Sequence, residues 1–320
     1  MPSSQSKPAP FAIEYLDHAA ACAWVRRHHT GYLRRVARCP HNRKHRTFAD
    51  APSFCAHLLD WAPEERRELS KKLRALVAAC WSWRALLVRG PAWTFILAND
   101  DLEGGMPHTI HTAIVLPRWL VRTLLFETSD PTAKRTAYET VLHERIHVMQ
   151  KADPTAFRRL YTAWGWKPVA QGGLVDRALD TLEHSLDRPT RYNPDTPQRW
   201  GTVRVAADGT ATTWVPYVQL GPGGMRDARY YLVTLARRQQ SGGGDSEDSS
   251  EGSTPLEIRW YPMEGVGWYN AYFGGAAHAY HPDEAAAVLL AECMVRDAEG
   301  RTLRECAAVR AMVGVLFNRV

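Results

Sequence analysis

Val141-Leu142-His143-Glu144-Arg145-Ile146-His147 is the stretch on which the reading of this 320-residue chain turns. It spells H-E-x-x-H. Asp130-Pro131 ahead of it offers an N-cap followed by proline at the first helical position. Thr132 to Ala152 contains neither Gly nor Pro, and Asp153-Pro154 closes the run and starts another. The stretch therefore predicts a capped helix on which His143 and His147 lie one turn apart on one face. Two imidazoles so placed grip one divalent metal, and Glu144 beside them is placed to act as general base.

A chain of this length is long enough for one large domain or two modest ones. Hydrophobic residues make up 45% and charged residues 23%, which excludes a disordered or collagen-like protein. The net charge of +6 favours acidic partners only mildly. Met1 to Pro10 is polar with no apolar segment behind it, so no export signal is read there. The most apolar window, Leu76 to Val88, is broken by Arg84 and is too short for a bilayer. The expectation is a soluble, intracellular protein that does not enter a membrane. Its six cysteines form no C-x-x-C pair and read as free buried thiols.

The element pattern predicts an α+β fold. Residues 1–10 read as a flexible tail, 11–90 as a helical N-terminal region and 91–320 as the domain holding the motif. Helical spacing runs from Phe11 to about Arg38, and Ala51 to about Gly90 reads as two helices, one starting at Pro63-Glu64-Glu65. Trp93 to Ala98 and Thr109 to Leu116 read as strands ahead of the motif helix. The second of these is a candidate edge for an extended substrate to join by strand addition. Further strands are expected at Thr202 to Val205, Ala211 to Val218, Tyr230 to Ala236 and Leu256 to Tyr261, with Pro216 making the second an edge strand. Ser241 to Thr254 is acidic and low in complexity, and reads as a disordered surface loop inside the domain. Tyr269 to Tyr280 reads as a Gly- and aromatic-rich connection. Helices follow from Pro282 and from Arg301.

A catalytic zinc takes three protein ligands and one water, so two histidines are not yet a site. Continuation of the motif as H-E-x-x-H-x-x-G-x-x-H fails, because Gln150 stands at the Gly position and Asp153 at the final His. Glu183 lies on a helical stretch 36 residues beyond His147. Glu284 lies 137 residues beyond it, in the first turn of a helix opened by Pro282 and rich in alanine, which permits close helix packing. Glu284 is preferred, with Glu292, Glu183 and Asp283 as alternatives. For the donor that an oxyanion needs, Tyr280 is the first candidate, with His281, His278 and Tyr192 beside it.

With T-V-L-H-E-R-I-H-V-M at Thr140 to Met149 and H-P-D-E-A-A-A at His281 to Ala287, the chain resembles gluzincin-type zinc metallopeptidases. M-P-H-T (Met106 to Thr109), Gln150 after the motif, F-R-R-L-Y-x-x-W-G-W (Phe157 to Trp166) and R-Y-N-P-D (Arg191 to Asp195) are similar to uncharacterised metallopeptidase-like proteins of large DNA viruses and protists. The resemblance covers roughly residues 90–300. It implies a zincin-like domain, zinc on His143, His147 and Glu284, Glu144 as the base, and a peptide or protein substrate. Arg145 departs from the family preference for uncharged residues between Glu and the second His.

Two other readings use the same residues. One is a catalytically inactive zincin-like module that binds a peptide or partner. The other is a nucleic-acid-associated protein using segment 26–46, which holds Arg26, Arg27, Arg34, Arg35, Arg38, Arg43, Lys44 and Arg46 and no acid. A solvated helix face accounts for the same charges. A non-proteolytic zinc hydrolase also fits the motif.

Overall fold

The computed structural model describes residues 11–28, 51–126, 130–185, 190–191, 199–205, 211–221, 224–237, 256–275 and 281–317. The sequence expectations for residues 1–10, for most of segment 26–46, for Ser241 to Thr254 and for Tyr192, His278 and Tyr280 lie outside these residues. The fold is α+β. The chain forms two compact units. The first holds the described residues within Met1–Arg38, Lys44–Pro154 and Ala287–Leu303, and the second those within Thr155–Ala286 and Arg304–Val320. The sequence-based boundary near residue 90 falls inside the first unit.

The first unit is built on strand β3 (Trp93–Ala98), whose six residues are all buried. A run of apolar side chains without alternation is what a strand covered on both faces requires. β1 (Ile13–Tyr15) and β5 (Ala113–Pro117) flank it in parallel. The short β2 (Leu58–Leu59) pairs with it antiparallel. β4 (His108–Ile110) pairs antiparallel with β5 and ends the order β1-β3-β5-β4. Two expectations are corrected here. Phe11 onward is not helical at first, because Ile13 to Tyr15 extend to pair with Trp93 to Phe95. Thr109 to Leu116 is not one strand but a hairpin, folded back at His111-Thr112 with His111 at φ 57°.

Helices α1 (His18–His28) and α2 (Ala51–Cys55) cover one side of this sheet, joining Ala21, Val25 and Phe54 to Ile96, Ile110 and Val115 in one core. Each buried Val, Ile or Phe side chain among these contributes roughly 1.5–3 kcal/mol relative to exposure. α3 (Pro63–Ala79) starts where the sequence predicts it, with Glu65 accepting from the Ala62 N–H at 3.1 Å, and buries Leu69, Leu73, Leu76 and Val77. The region read as two helices also contains α4 (Arg84–Val88). α5 (Arg118–Leu125) leads from β5 toward the motif helix α6 (Pro131–Ala152). Asp130 caps α6 by accepting from the Thr132 N–H at 2.8 Å, as the Asp-Pro pair predicts.

The second unit opens at Thr155 within α7 (Pro154–Ala163), which Gly165 follows at φ 83°. Its sheet runs β11-β10-β9-β8-β6, formed by β6 (Trp166–Pro168), β8 (Trp200–Val205), β9 (Ala211–Gly221), β10 (Gly224–Arg237) and β11 (Leu256–Pro262), with β7 (Thr190–Arg191) also on β9. β9 is therefore not an edge strand. Among the described residues β8 pairs only as far as Trp214 and β7 begins at Val218, so neither strand pairs with Pro216 on that side. α8 (Leu174–Ser185) sends Leu179 into a core with Val215, Tyr217, Val233 and Leu235. Part of the expected connection after Tyr269 is helix α9 (Gly267–Phe273), in which Tyr269 and Phe273 pack one turn apart at 4.6 Å. Gly274 at φ 67° ends it. α10 (Pro282–Ala298) is one unbroken helix. α11 (Ala307–Phe317) starts later than Arg301, and Arg304 ahead of it binds the Gly274 carbonyl at 2.8 Å.

Candidate metal centre

The second half of α6 is buried nearly all round: Val141, Leu142 and every residue from Glu144 to Gln150 are buried. Core packing on all sides leaves no solvent-facing stripe, so the polar side chains there need partners inside the protein. His147 is 1% exposed, and its Nδ1 stands 2.7 Å from Gln150 Oε1. An amide oxygen accepts, so Nδ1 carries the proton and Nε2 keeps its lone pair. That Nε2 lies 3.0 Å from Nε2 of His143, with the rings nearly perpendicular at 84°. Two ring nitrogens turned toward one point in this way suit a shared cation.

Glu284 supplies the third donor. From Ala287 onward α10 packs in the same compact unit as α6, and Glu284 precedes that stretch by one turn of the same helix. Ligand atoms of His143, His147 and Glu284 all lie within 4.8 Å of one another, and this is the metal-competent group of three or more His, Cys, Asp and Glu among the described residues. The group can hold a metal ion. The imidazole–imidazole–carboxylate set, with one imidazole fixed by an outer acceptor, fits a divalent metal.

Of the alternatives for the third ligand, Glu292 and Asp283 have other partners. Glu292 pairs with Arg296 at 2.9 Å. Asp283 accepts a short hydrogen bond from the Tyr161 hydroxyl and lies 3.2 Å from His281 Nδ1. The side chain of Glu183 is outside the described residues. Glu139 is half-buried, and desolvation, then the charge of Glu292, raises its carboxyl above the ordinary range. His281 is the N-cap of α10: its carbonyl takes the Ala285 N–H at 2.7 Å and its Nδ1 the Asp283 N–H at 3.2 Å.

Glu144 is buried beside the two histidines in sequence, as a base on this helix requires. Arg145 is turned elsewhere. Fully buried, its guanidinium donates to the carbonyl oxygens of Pro91 at 2.9 Å, Arg89 at 3.1 Å, and Leu87 and Ala92 at 3.4 Å each. It also lies 5.0 Å from the centre of the Trp93 ring. Burial pulls its pKa down to about 10, so it stays charged at neutral pH. The residue that departs from the motif preference is thus a tie between α6 and the chain leading into β3.

Two residues have roles that the sequence reading does not give them. Gln150 stands there as a mismatch to the longer motif and as part of the resemblance, not as the partner of His147, although its spacing of three, one helical turn, is the available signal. Tyr230 on β10 lies close enough to Glu284 for the carboxylate charge to add to desolvation in raising its phenol pKa. No sequence signal links two residues 54 positions apart.

An α+β fold with a His–His–Glu group on two helices is thus the class that the coordinates define. No protein-family model, no curated protein and no solved structure matches the chain.

Proposed function

We propose that the protein is a zinc metallopeptidase with a zincin-like domain, hydrolysing peptide bonds at the His143, His147 and Glu284 centre. The observation that carries this reading is the approach of Glu284 to an H-E-x-x-H helix. Two imidazoles and one carboxylate are the ligand set of a catalytic zinc that keeps one position for water. Zinc in this set supplies Lewis acidity, polarising a carbonyl and acidifying water. Glu144 takes the proton of the attacking water on its carboxylate and passes it to the leaving amine. Gln150 holds His147 in the tautomer that presents Nε2. The oxyanion donor of this reading is Tyr280, which lies outside the described residues, and Tyr230, whose phenol feels the Glu284 charge, is a second candidate.

Purified without chelator, the protein is expected to carry about one zinc per chain by elemental analysis. Glu144→Gln is expected to keep the metal and lose cleavage of a peptide library. Zinc-free wild-type protein sinks the reading. Stoichiometric metal with no cleavage by the wild type supports the binding-module reading instead.

A further inference from the structure

Tyr161 of F-R-R-L-Y-x-x-W-G-W and Asp283 of H-P-D-E-A-A-A meet in the structure, although neither is one of the three metal-competent residues. The Tyr161 hydroxyl donates to Asp283 Oδ1 across 122 residues of chain, and both side chains are buried. The Tyr161 ring is held among other rings: Trp200 packs edge-on at 5.1 Å, and Trp164 and Phe157 lie at 6.1 and 6.2 Å. A ring packed in this way fixes the direction of its hydroxyl. From the other side Asp283 meets the cap of α10, where His281 Nδ1 lies 3.2 Å from the Asp283 nitrogen and 3.2 Å from Oδ2. Nε2 of the same ring is buried without a partner. A polar atom left in that state costs free energy, so the ring holds its place for what Nδ1 does at the start of the helix.

Asp283 and Glu284 are neighbours in the first turn of α10. Successive residues of a helix point about 100° apart, so holding Asp283 toward α7 fixes the direction in which Glu284 leaves the axis. His143 and His147 share one helix and come as a pair, whereas Glu284 has to be delivered from another. We propose that Tyr161 is a positioning residue for the metal: through Asp283 it sets the rotation of the first turn of α10 that presents Glu284 to the ion. The hydrogen bond narrows the directions Glu284 samples in the metal-free protein, which reduces the ordering cost of binding. The inference rests on Glu284 being a ligand, as the metallopeptidase reading has it, and does not require turnover.

The test reads zinc affinity. Chelator-stripped wild type and variants, each shown to be folded by circular dichroism, are titrated with zinc against a chromophoric chelator. Tyr161→Phe keeps the ring among its aromatic neighbours and removes only the hydroxyl. It is expected to weaken zinc binding by roughly tenfold, the lower end of the cost of losing an outer partner at a metal site. Asp283→Asn still accepts from Tyr161, but through a neutral oxygen in a bond about half as strong, and is expected to weaken binding by about threefold. In Glu284→Ala the two histidines alone hold zinc weakly. Adding Tyr161→Phe there is expected to change the affinity by less than about twofold, because residues that act through one group are not additive. Zinc affinity in folded Tyr161→Phe equal to wild type overturns the inference, and a lower Tm of the metal-free variant does not rescue it. The same tenfold loss recurring in Glu284→Ala overturns it as well. Should Tyr161→Phe not fold, an Asp283→Asn affinity equal to wild type has the same force. A wild type that takes up no zinc shows before any variant is compared, and sinks the metallopeptidase reading and this inference with it.

Discussion

Gln150 and Arg145 are the two side chains that give the motif its local meaning. Both are buried in the last turns of α6, and both satisfy polar groups that the core would otherwise strand. Gln150→Leu removes the acceptor for His147 Nδ1 and frees the ring to choose its tautomer. It is expected to lower zinc affinity by roughly 10–100-fold in competition with a chelator. Gln150→Glu should retain most of it. Arg145→Met keeps much of the volume but leaves carbonyls of the Leu87 to Ala92 segment without their donor. It is expected to destabilise the fold by about 2–4 kcal/mol in urea denaturation. The variant should still bind metal once folded, because the guanidinium lies against Trp93 rather than among the ligands.

At the scale of elements, α6 is fixed at its start as well as along its buried end. The Asp130 cap satisfies one orphan N–H, and Asp130→Ala is expected to cost about 1 kcal/mol, read as a lower Tm. Arg135 in the second turn of α6 donates to Glu299, just beyond α10, at 2.6 and 3.0 Å. Its side-chain hydrogen bond is the largest cause holding the Glu299 carboxyl below its ordinary value of 4.5. A depressed carboxyl pKa contributes stability above the unfolded value, and that contribution is lost as pH falls through the folded one. Wild type is therefore expected to melt slightly above Glu299→Gln at pH 7, with the gap closing below about pH 4.5. The effect is small because both partners are about one-third exposed. A gap independent of pH would show that the pair does no electrostatic work.

For the whole molecule, the metal group joins two helices whose donors are 137 residues apart in the chain. A ligand that binds the folded state alone stabilises it by mass action, about 2.7 kcal/mol at a free concentration of 100 times its Kd. Chelation is expected to lower Tm, and added zinc to restore it in a concentration-dependent way. The same titration on Glu284→Ala should show a much smaller shift, and an equal shift would place the third ligand elsewhere. No helix among the described residues is long and apolar enough to cross a membrane.

The sequence by itself determined what is local. The Asp130-Pro131 start, the i and i+4 histidines and the Pro282 start depend on neighbours within a turn or two, and short-range sterics and hydrogen bonding leave them few alternatives. The α+β class followed from the same patterns. Tertiary structure decided everything that depends on pairing at a distance. Ile13 to Tyr15 extend because Trp93 to Phe95 offer them a parallel partner. Pro216 lies inside a sheet where, among the described residues, neither β8 nor β7 pairs with it. Arg145 is harmless to the motif because a loop 54 residues earlier presents its carbonyls. The approach of Glu284 to His143 and His147 belongs to this second kind. Spacing along a chain carries no information on which of several carboxylates will be folded back to a given helix face. That choice is made by tertiary packing, through the sum of many apolar contacts that no single residue announces.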